Sequence, residues 1–105
     1  MEETVGLIAT FRAAPGRLTD LLSELRTMVD TARLEEGTLA YGLHRMADDP
    51  DSVLVYEIYR DVEAQALHGL SDAIAALKNR LPALLAEPPV LTRLAPVAGA
   101  KGLPF

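Results

Sequence analysis

The sequence predicts a single α+β domain whose elements follow the order β-α-β-β-α-β. Three observations support this fold class: an apolar hairpin in the middle of the chain, an amphipathic helical pattern before it, and a second helical pattern followed by a short apolar strand. With 105 residues the chain has room for one compact domain, whose core would gain from an oligomeric partner. We assign this domain to residues 1–97 and treat residues 98–105 as a flexible or partner-contacting tail.

The hairpin consists of two β-compatible runs, Thr38–Met46 and Ser52–Tyr59, joined by a turn in the cluster Asp48–Ser52. Both faces of these strands are apolar, whereas a hairpin with one solvated face alternates apolar and polar residues. One face carries Leu39, Tyr41, Leu43, Val53, Val55 and Tyr59, and the other carries Ala40, Met46, Leu54, Tyr56 and Ile58. Each face therefore needs a cover. Because the chain has helices to cover only one face, we expect a second copy of the chain to cover the other face.

A strand and a helix precede the hairpin. Thr4–Phe11 is a short apolar run that favours a strand. Pro15 suits the first position of a helix, where its missing N–H would be unpaired anyway. Gly37 is predicted to close the helix in a left-handed conformation. Between them, apolar residues recur at helical spacing: Leu18, Leu21, Leu22, Leu25, Met28, Val29 and Ala32.

A second helical region and a fourth strand follow the hairpin. Asp61 is a good N-cap for this region, and Ser71 supplies a second start signal after Gly69, so we expect a break there. Pro82 favours a further turn. The last apolar run, Val90–Val97, predicts the fourth strand.

This order is the split βαβ arrangement of ferredoxin-like folds, with a four-stranded antiparallel sheet and helices on one face. Leaving the aliphatic and aromatic side chains of the other face in water would cost about 1.5–3 kcal/mol each relative to full burial. That sum is large beside a typical net stability of roughly 5–15 kcal/mol. We therefore predict a homodimer in which two such sheets stack face to face.

Composition excludes several classes of function. The formal charge is −5 and no basic cluster is present, so nucleic acid is not an expected partner. The absence of Cys excludes a disulfide framework, a thiolate metal site and a cysteine nucleophile. The N-terminus is acidic, and no apolar run approaches the roughly 20 residues of a membrane span. We expect a cytoplasmic protein with no membrane partner.

The order and spacing of several short motifs resemble the antibiotic biosynthesis monooxygenase (ABM) domain over nearly the whole chain. The motifs are Ala14-Pro15-Gly16-Arg17, Glu36-Gly37-Thr38-Leu39-Ala40-Tyr41 with Leu43-His44-Arg45, Asp48-Asp49-Pro50, Tyr56-Glu57-Ile58-Tyr59, Ala66-Leu67-His68 followed by Ser71, and the terminal Pro-Val-Leu-Thr-Arg-Leu-Ala-Pro strand. The resemblance implies a dimeric α+β barrel. The family includes cofactor-free oxygenases of anthrones and quinols, haem-degrading enzymes and small proteins without an established activity.

Departures from the family pattern bear on which of these functional classes the chain resembles. Tyr59 stands where the family usually has Trp, and the second His that often follows the helix-two His is absent after Ser71. Aligned with the haem-degrading branch, Ala9 replaces its Asn and Lys78 replaces its haem-ligating His. Because a protonated Lys has no lone pair for iron, haem binding is not expected.

His68 and His44 are the candidates for proton transfer, because an unperturbed imidazole titrates near neutral pH. The resemblance suggests that His68 faces a cavity between sheet and helices and acts as a general base. The alternative is a partly exposed helix residue bonded to water or to a backbone carbonyl. His44 lies on the strand face of the small residues Ala40 and Gly42, beside which a flat ligand would fit, and its alternative role is an interface or edge histidine.

Glu57 is a carboxylate within an apolar strand, so it needs a partner or a raised pKa. With odd-to-odd hairpin pairing it shares a face with Tyr41, Arg45 and Tyr59. We expect a structural Arg45–Glu57 pair in preference to catalysis. Tyr41 and Tyr59 are candidates for stacking on or hydrogen bonding to an aromatic substrate, but strand tyrosines are more often core residues.

We expect a cofactor-free monooxygenase that uses His68 as base and Tyr41, His44, Glu57 and Tyr59 to bind a planar hydrophobic aromatic compound. No metal site is expected, since the histidines and carboxylates lack close ligand spacing. Two alternatives stay open: a non-catalytic ligand-binding or stress-associated dimer, and an isomerase or cyclase that uses the same pocket without oxygen.

Overall fold

A four-stranded antiparallel sheet with helices on one side forms the protein. The structure, a computed structural model, describes residues 3–105. The strands are β1 (Val5–Arg12), β2 (Thr38–Met46), β3 (Asp49–Tyr59) and β4 (Val90–Leu94); the helices are α1 (Leu18–Ala32), α2 (Val62–Gly69) and α3 (Asp72–Arg80), with a 3₁₀ turn at Leu81–Ala83. The strand order in the sheet is β2-β3-β1-β4. The predicted βαββαβ fold is confirmed, with its second helix in two pieces.

The two faces of the sheet have different covers. In the register, Leu7 of β1 and Tyr41 of β2 both lie opposite Glu57 of β3, so odd-numbered side chains of these strands share one face. That face packs against the helices to form the core, which comprises Ala9, Phe11, Ala13, Leu21, Leu25, Met28, Val53, Val55, Leu77, Leu81 and Leu84. Even-numbered residues, among them Leu54 and Tyr56, lie on the opposite face. The hairpin therefore does have two apolar faces.

The hairpin differs from the prediction at its two ends. Its turn is the pair Ala47–Asp48, and β3 already begins at Asp49, so the predicted turn cluster is mostly strand. At the other end, the pairing shifts between Thr38 and Ala40, and Leu39 is 43% exposed. Leu39 therefore does not share the covered face of Tyr41, because the bulge removes it from the alternation.

The expected ends of α1 are wrong at both termini. The helix begins at Leu18, and Pro15 lies in the turn before it. The helix ends at Ala32, well before Gly37, which does not have a left-handed φ. Gly37 serves packing instead: a Cβ at this position would lie 2.5 Å from the Cβ of Ala64 in α2. The absence of a side chain therefore lets the loop before β2 contact α2.

The break in the second helical region is confirmed. The carboxylate of Asp61 accepts the backbone N–H of Ala64 at 2.7 Å and starts α2. The hydroxyl of Ser71 accepts the N–H of Ile74 at 3.3 Å and starts α3. The 3₁₀ turn holds Pro82, as expected, whereas β4 ends at Leu94 and not at Val97.

The close approach at Gly37 generates a prediction. We expect Gly37→Ala to destabilise the fold by about 1–3 kcal/mol, because the new methyl group must displace Ala64 or the loop. The matched control is Gly69→Ala, since no heavy atom lies within 4 Å of a Cβ built there. Urea unfolding of both variants measures the difference. Equal stability of the two variants would contradict the assignment of Gly37 to packing.

Candidate functional site

A cavity of about 200 Å³ lies between the sheet and the helices. Most of its wall is apolar, with side chains from β1, α1, α3, the 3₁₀ turn and β4: Leu7, Ala9, Phe11, Leu25, Ile74, Leu77, Leu81 and Leu91. The polar or charged side chains in the wall are those of Tyr41, Glu57, His68 and Lys78. Few polar groups in an apolar enclosure are typical of small-molecule sites.

His68 is held in this wall by the break between α2 and α3. The hydroxyl of Ser71 donates to the backbone carbonyl of His68 at 2.8 Å, and the N–H of Ser71 approaches the same oxygen at 3.2 Å. His68 is only 6% exposed. The alternative of a partly exposed helix histidine is therefore wrong.

Glu35 is the direct partner of the imidazole. Its Oε1 lies 2.7 Å from Nδ1 of His68, and the hydroxyl of Thr38 donates to the same carboxylate oxygen at 3.0 Å. Glu35 lies in the loop between α1 and β2, the loop that Gly37 brings against α2. A carboxylate on Nδ1 favours the tautomer with a proton on Nδ1 and a lone pair on Nε2.

The Nε2 side of His68 faces a second carboxylate. Nε2 is 3.9 Å from Oε1 of Glu57, which is beyond hydrogen-bonding distance. The hydroxyl of Tyr59 donates to the same Glu57 oxygen. The rings of Tyr41 and Tyr59 are tilted against the imidazole, each with its centroid 5.4 Å away.

Burial raises the pKa values of the acidic side chains in this cluster. Burial raises the pKa of Glu57, and the hydrogen bond from Tyr59 and the nearby His68 oppose that rise. Burial, reinforced by the charge of Glu57, raises the pKa of Tyr59 and of Tyr41 above that of a free phenol. Both tyrosines are therefore neutral near pH 7, and Tyr59 remains a hydrogen-bond donor.

This geometry is suited to proton transfer. An imidazole with a carboxylate on Nδ1 and an unbonded Nε2 beside a cavity is the arrangement of an oriented general base. Within residues 3–105, no group of three or more His, Asp or Glu side chains could hold a metal ion. No helix in the same range is long and apolar enough to cross a membrane.

The structure gathers some of the predicted site residues and separates others. Tyr41, Glu57 and His68 line the cavity, and Tyr59 contacts Glu57 and the ring of His68. His44 is exposed on the opposite face of the sheet, because its register partner is Leu54, so it does not line this cavity.

The expected partner of Glu57 is wrong, and one site residue was missed. Arg45 is exposed and lies opposite Val53, so it does not pair with Glu57, whose partners are Tyr59 and His68. Glu35 was missed because nothing in the sequence distinguishes it from the neighbouring Glu36. Only the packing of the loop against α2 shows that Glu35 is the residue that contacts His68.

The buried carboxyl of Glu57 gives a pH-dependent prediction. Burial raises the pKa of Glu57 in the folded state above the unfolded value of 4.5. Glu57 therefore makes its full contribution to the free energy of unfolding below about pH 4, and this contribution is lost as the pH rises through the folded-state pKa. The variant Glu57→Gln keeps an acceptor for Tyr59 but cannot ionise. We expect the stability of Glu57→Gln relative to wild type to increase from pH 4 to pH 8 in urea unfolding. A constant difference, or a change of opposite sign, would contradict a raised pKa.

Comparison with known proteins agrees with this fold. Rv0793 from Mycobacterium tuberculosis is 29% identical with a TM-score of 0.89, and the alignment covers 94% of this chain and 100% of that one. PA3566 from Pseudomonas aeruginosa is 33% identical with a TM-score of 0.86, covering 93% and 98%. NE2512 from Nitrosomonas europaea, a protein of unknown function, is 23% identical with a TM-score of 0.84 and 93% coverage of both chains, and shares the fold.

Curated proteins and family models give different results. No curated protein matches the sequence. The family model for antibiotic biosynthesis monooxygenase matches residues 4–88, which include β1 to α3 and the cluster around His68. The resemblance noted in the sequence is thereby confirmed, and the chain belongs to the antibiotic biosynthesis monooxygenase family.

Proposed function

We propose that the protein is a cofactor-independent monooxygenase that binds a planar, electron-rich aromatic compound and deprotonates it with His68. The observation that carries this proposal is the 2.7 Å contact between Glu35 and Nδ1 of His68, which leaves Nε2 free beside an apolar cavity. Phenols, quinols and anthrones are the substrate class, because removal of a proton converts them into anions that reduce dioxygen.

The reaction balances without a bound metal or flavin. For an anthrone, His68 takes a proton from the activated CH₂ carbon, and the resulting anion transfers one electron to dioxygen. The substrate radical and superoxide then form a carbon–oxygen bond, and protonation gives a hydroperoxide. Loss of water from this intermediate leaves a carbonyl, so one oxygen atom enters the product and the other leaves as water.

The residues around His68 support its role as a base. Protonation of Nε2 produces an imidazolium next to Glu35 and Glu57, and both carboxylates stabilise that charge. Tyr59 keeps Glu57 in place by hydrogen bonding, and Tyr41 offers a ring to a flat ligand. The apolar wall excludes water from the reactive anion, which favours reaction with dioxygen over simple reprotonation.

Two further parts of the proposal concern ligand size and assembly. The cavity volume of about 200 Å³ lies below the usual range of about 300–1,000 Å³, which favours compounds of one or two rings or a ligand that extends outside the cavity.

We also propose a homodimer through the sheet face that the helices leave open. Its apolar residues include Ile8, Leu54 and Tyr56, each only half-buried in a single chain.

The general-base role predicts a large loss of activity in His68→Gln. We expect its rate of oxygen consumption with a panel of quinols and anthrones to fall by roughly 10²–10⁴-fold, since a positioned base contributes about that factor. The matched control is His44→Gln, which removes the other histidine from the opposite face of the sheet. Equal rates for wild type and His68→Gln would reject His68 as the base.

Product formation and ligand binding, measured on the same panel of compounds with and without oxygen, separate the proposal from its alternatives. Turnover that continues under anaerobic conditions would indicate an isomerase or cyclase. Saturable binding of these compounds without turnover, with or without oxygen, would indicate a ligand-binding protein.

The proposed dimer predicts a specific effect of charge on the open face. We expect Leu54→Glu to convert the protein to a monomer at micromolar concentration, because two carboxylates would be buried between the stacked sheets. Leu34→Glu introduces the same charge at a leucine that is 88% exposed in the loop between α1 and β2, and it should leave the dimer intact. Size-exclusion chromatography with light scattering measures both. A monomeric wild type would reject the dimer.

A further inference from the structure

We propose that Lys78 forms an anion-binding subsite at the mouth of the cavity, so that the preferred ligand is an aromatic compound with a carboxylate or another acidic group. This inference rests on the proposed function, because it names the class of ligand that the same cavity takes. It adds a specificity-determining residue to the general base.

The position of Lys78 supports the subsite. Lys78 lies near the end of α3 and is exposed, yet it lines the inner cavity of about 200 Å³. It also lines an outer groove of about 450 Å³, and the two spaces share Leu81 and Pro89 as well. Lys78 therefore lies where the inner cavity meets the groove, beside the path by which a ligand enters.

The charges around Lys78 support an anionic partner. The chain has a formal charge of −5, so its net charge disfavours an acid and a local cation is needed to hold one. Within residues 3–105, no carboxylate forms an ion pair with Lys78 within 4.0 Å. The outer groove also contains Glu87, which disfavours an anion farther out and restricts it to the junction at Lys78.

The cavity then offers two kinds of polar group to one ligand. His68 and Glu57 lie in its wall and suit a hydroxyl or an acidic C–H, while Lys78 suits an acid group at the mouth. A flat ligand that meets both would be held in one orientation, with its reactive end towards Nε2. A purely structural role is also available to a lysine in the last turns of a helix, where a cation interacts with the helix dipole. That role predicts an effect on stability and none on ligand preference.

Two matched probes test the subsite. The first is 6-hydroxy-2-naphthoate, which has a hydroxyl and a carboxylate at opposite ends of two fused rings; the second is 2-naphthol, which has the same rings and hydroxyl without the acid. Titration calorimetry gives the Kd of each for wild type, Lys78→Met, Lys78→Arg and Lys101→Met. Lys101 is the only other lysine of the chain and lies in the C-terminal tail, so its variant makes the same change in net charge.

We expect wild type to bind the naphthoate roughly 10-fold to 100-fold more tightly than 2-naphthol, as a hydrogen bond between charged groups allows. Lys78→Met should lose this preference while retaining 2-naphthol binding, and Lys78→Arg and Lys101→Met should keep it. The preference should also weaken as salt rises.

A preference that survives in Lys78→Met, or no preference in wild type, would overturn the subsite. In the second case, continued binding of 2-naphthol would leave the proposed function standing. If neither compound binds wild type, both the subsite and the aromatic ligand class of the proposed function are rejected.

Discussion

The contact between the loop before β2 and helix α2 is the constraint on which the site depends. Gly37 and Ala64 approach so closely that a Cβ on Gly37 would lie 2.5 Å from that of Ala64. Because the loop reaches this position, Glu35 lies 2.7 Å from His68 and fixes the orientation of its ring. Without this approach the histidine would lack a partner on Nδ1. The geometry of the site thus depends on the packing of Gly37 against Ala64, two residues without reactive side chains.

Burial gives the cluster its chemical character. Glu57, Tyr59 and His68 are each less than 10% exposed, so their charges and hydrogen bonds act in a medium of low polarity. In water the carboxylate would ionise freely and the imidazole would rotate. In the protein, Tyr59 donates to Glu57, and Glu35 holds His68, so each buried polar group has a partner. Such satisfied networks limit rotation of the side chains.

Because side chains alternate along β3, the two faces of the sheet carry different sets of residues. Odd-numbered residues such as Val55 and Glu57 face the helices and the cavity, whereas Leu54 and Tyr56 face away. A shift of one residue in the pairing of β2 with β3 would move every side chain of β2 to the other face of the sheet. The same register explains why His44, although similar to His68 in sequence terms, lies outside the cavity. One strand pairing therefore assigns residues either to the cavity or to the open face.

The sequence by itself determined the fold and part of the site. Periodicity, the cap at Asp61 and the break at Ser71 are local signals, since side chains of these types act within a few residues of their own position. They predicted the element order. Side-chain chemistry singled out His68 and His44 as bases, Glu57 as a carboxylate in an apolar strand, and Tyr41 and Tyr59 as aromatic contacts, and the family resemblance suggested the position of His68 in a cavity. The role given to Gly37 was wrong, because a glycine needed for packing and one needed for a left-handed turn have the same sequence signature.

Only the tertiary structure decided which residues meet. Glu35 and His68 are 33 positions apart, and no local pattern distinguishes Glu35 from Glu36. The pairing of Tyr41 with Glu57 and the placement of Arg45 opposite Val53 depend on the register between β2 and β3. The position of Lys78 at the mouth of the cavity depends likewise on how α3 packs against the sheet. Contacts of this kind arise from packing between distant segments, and the sequence of either segment alone does not specify them.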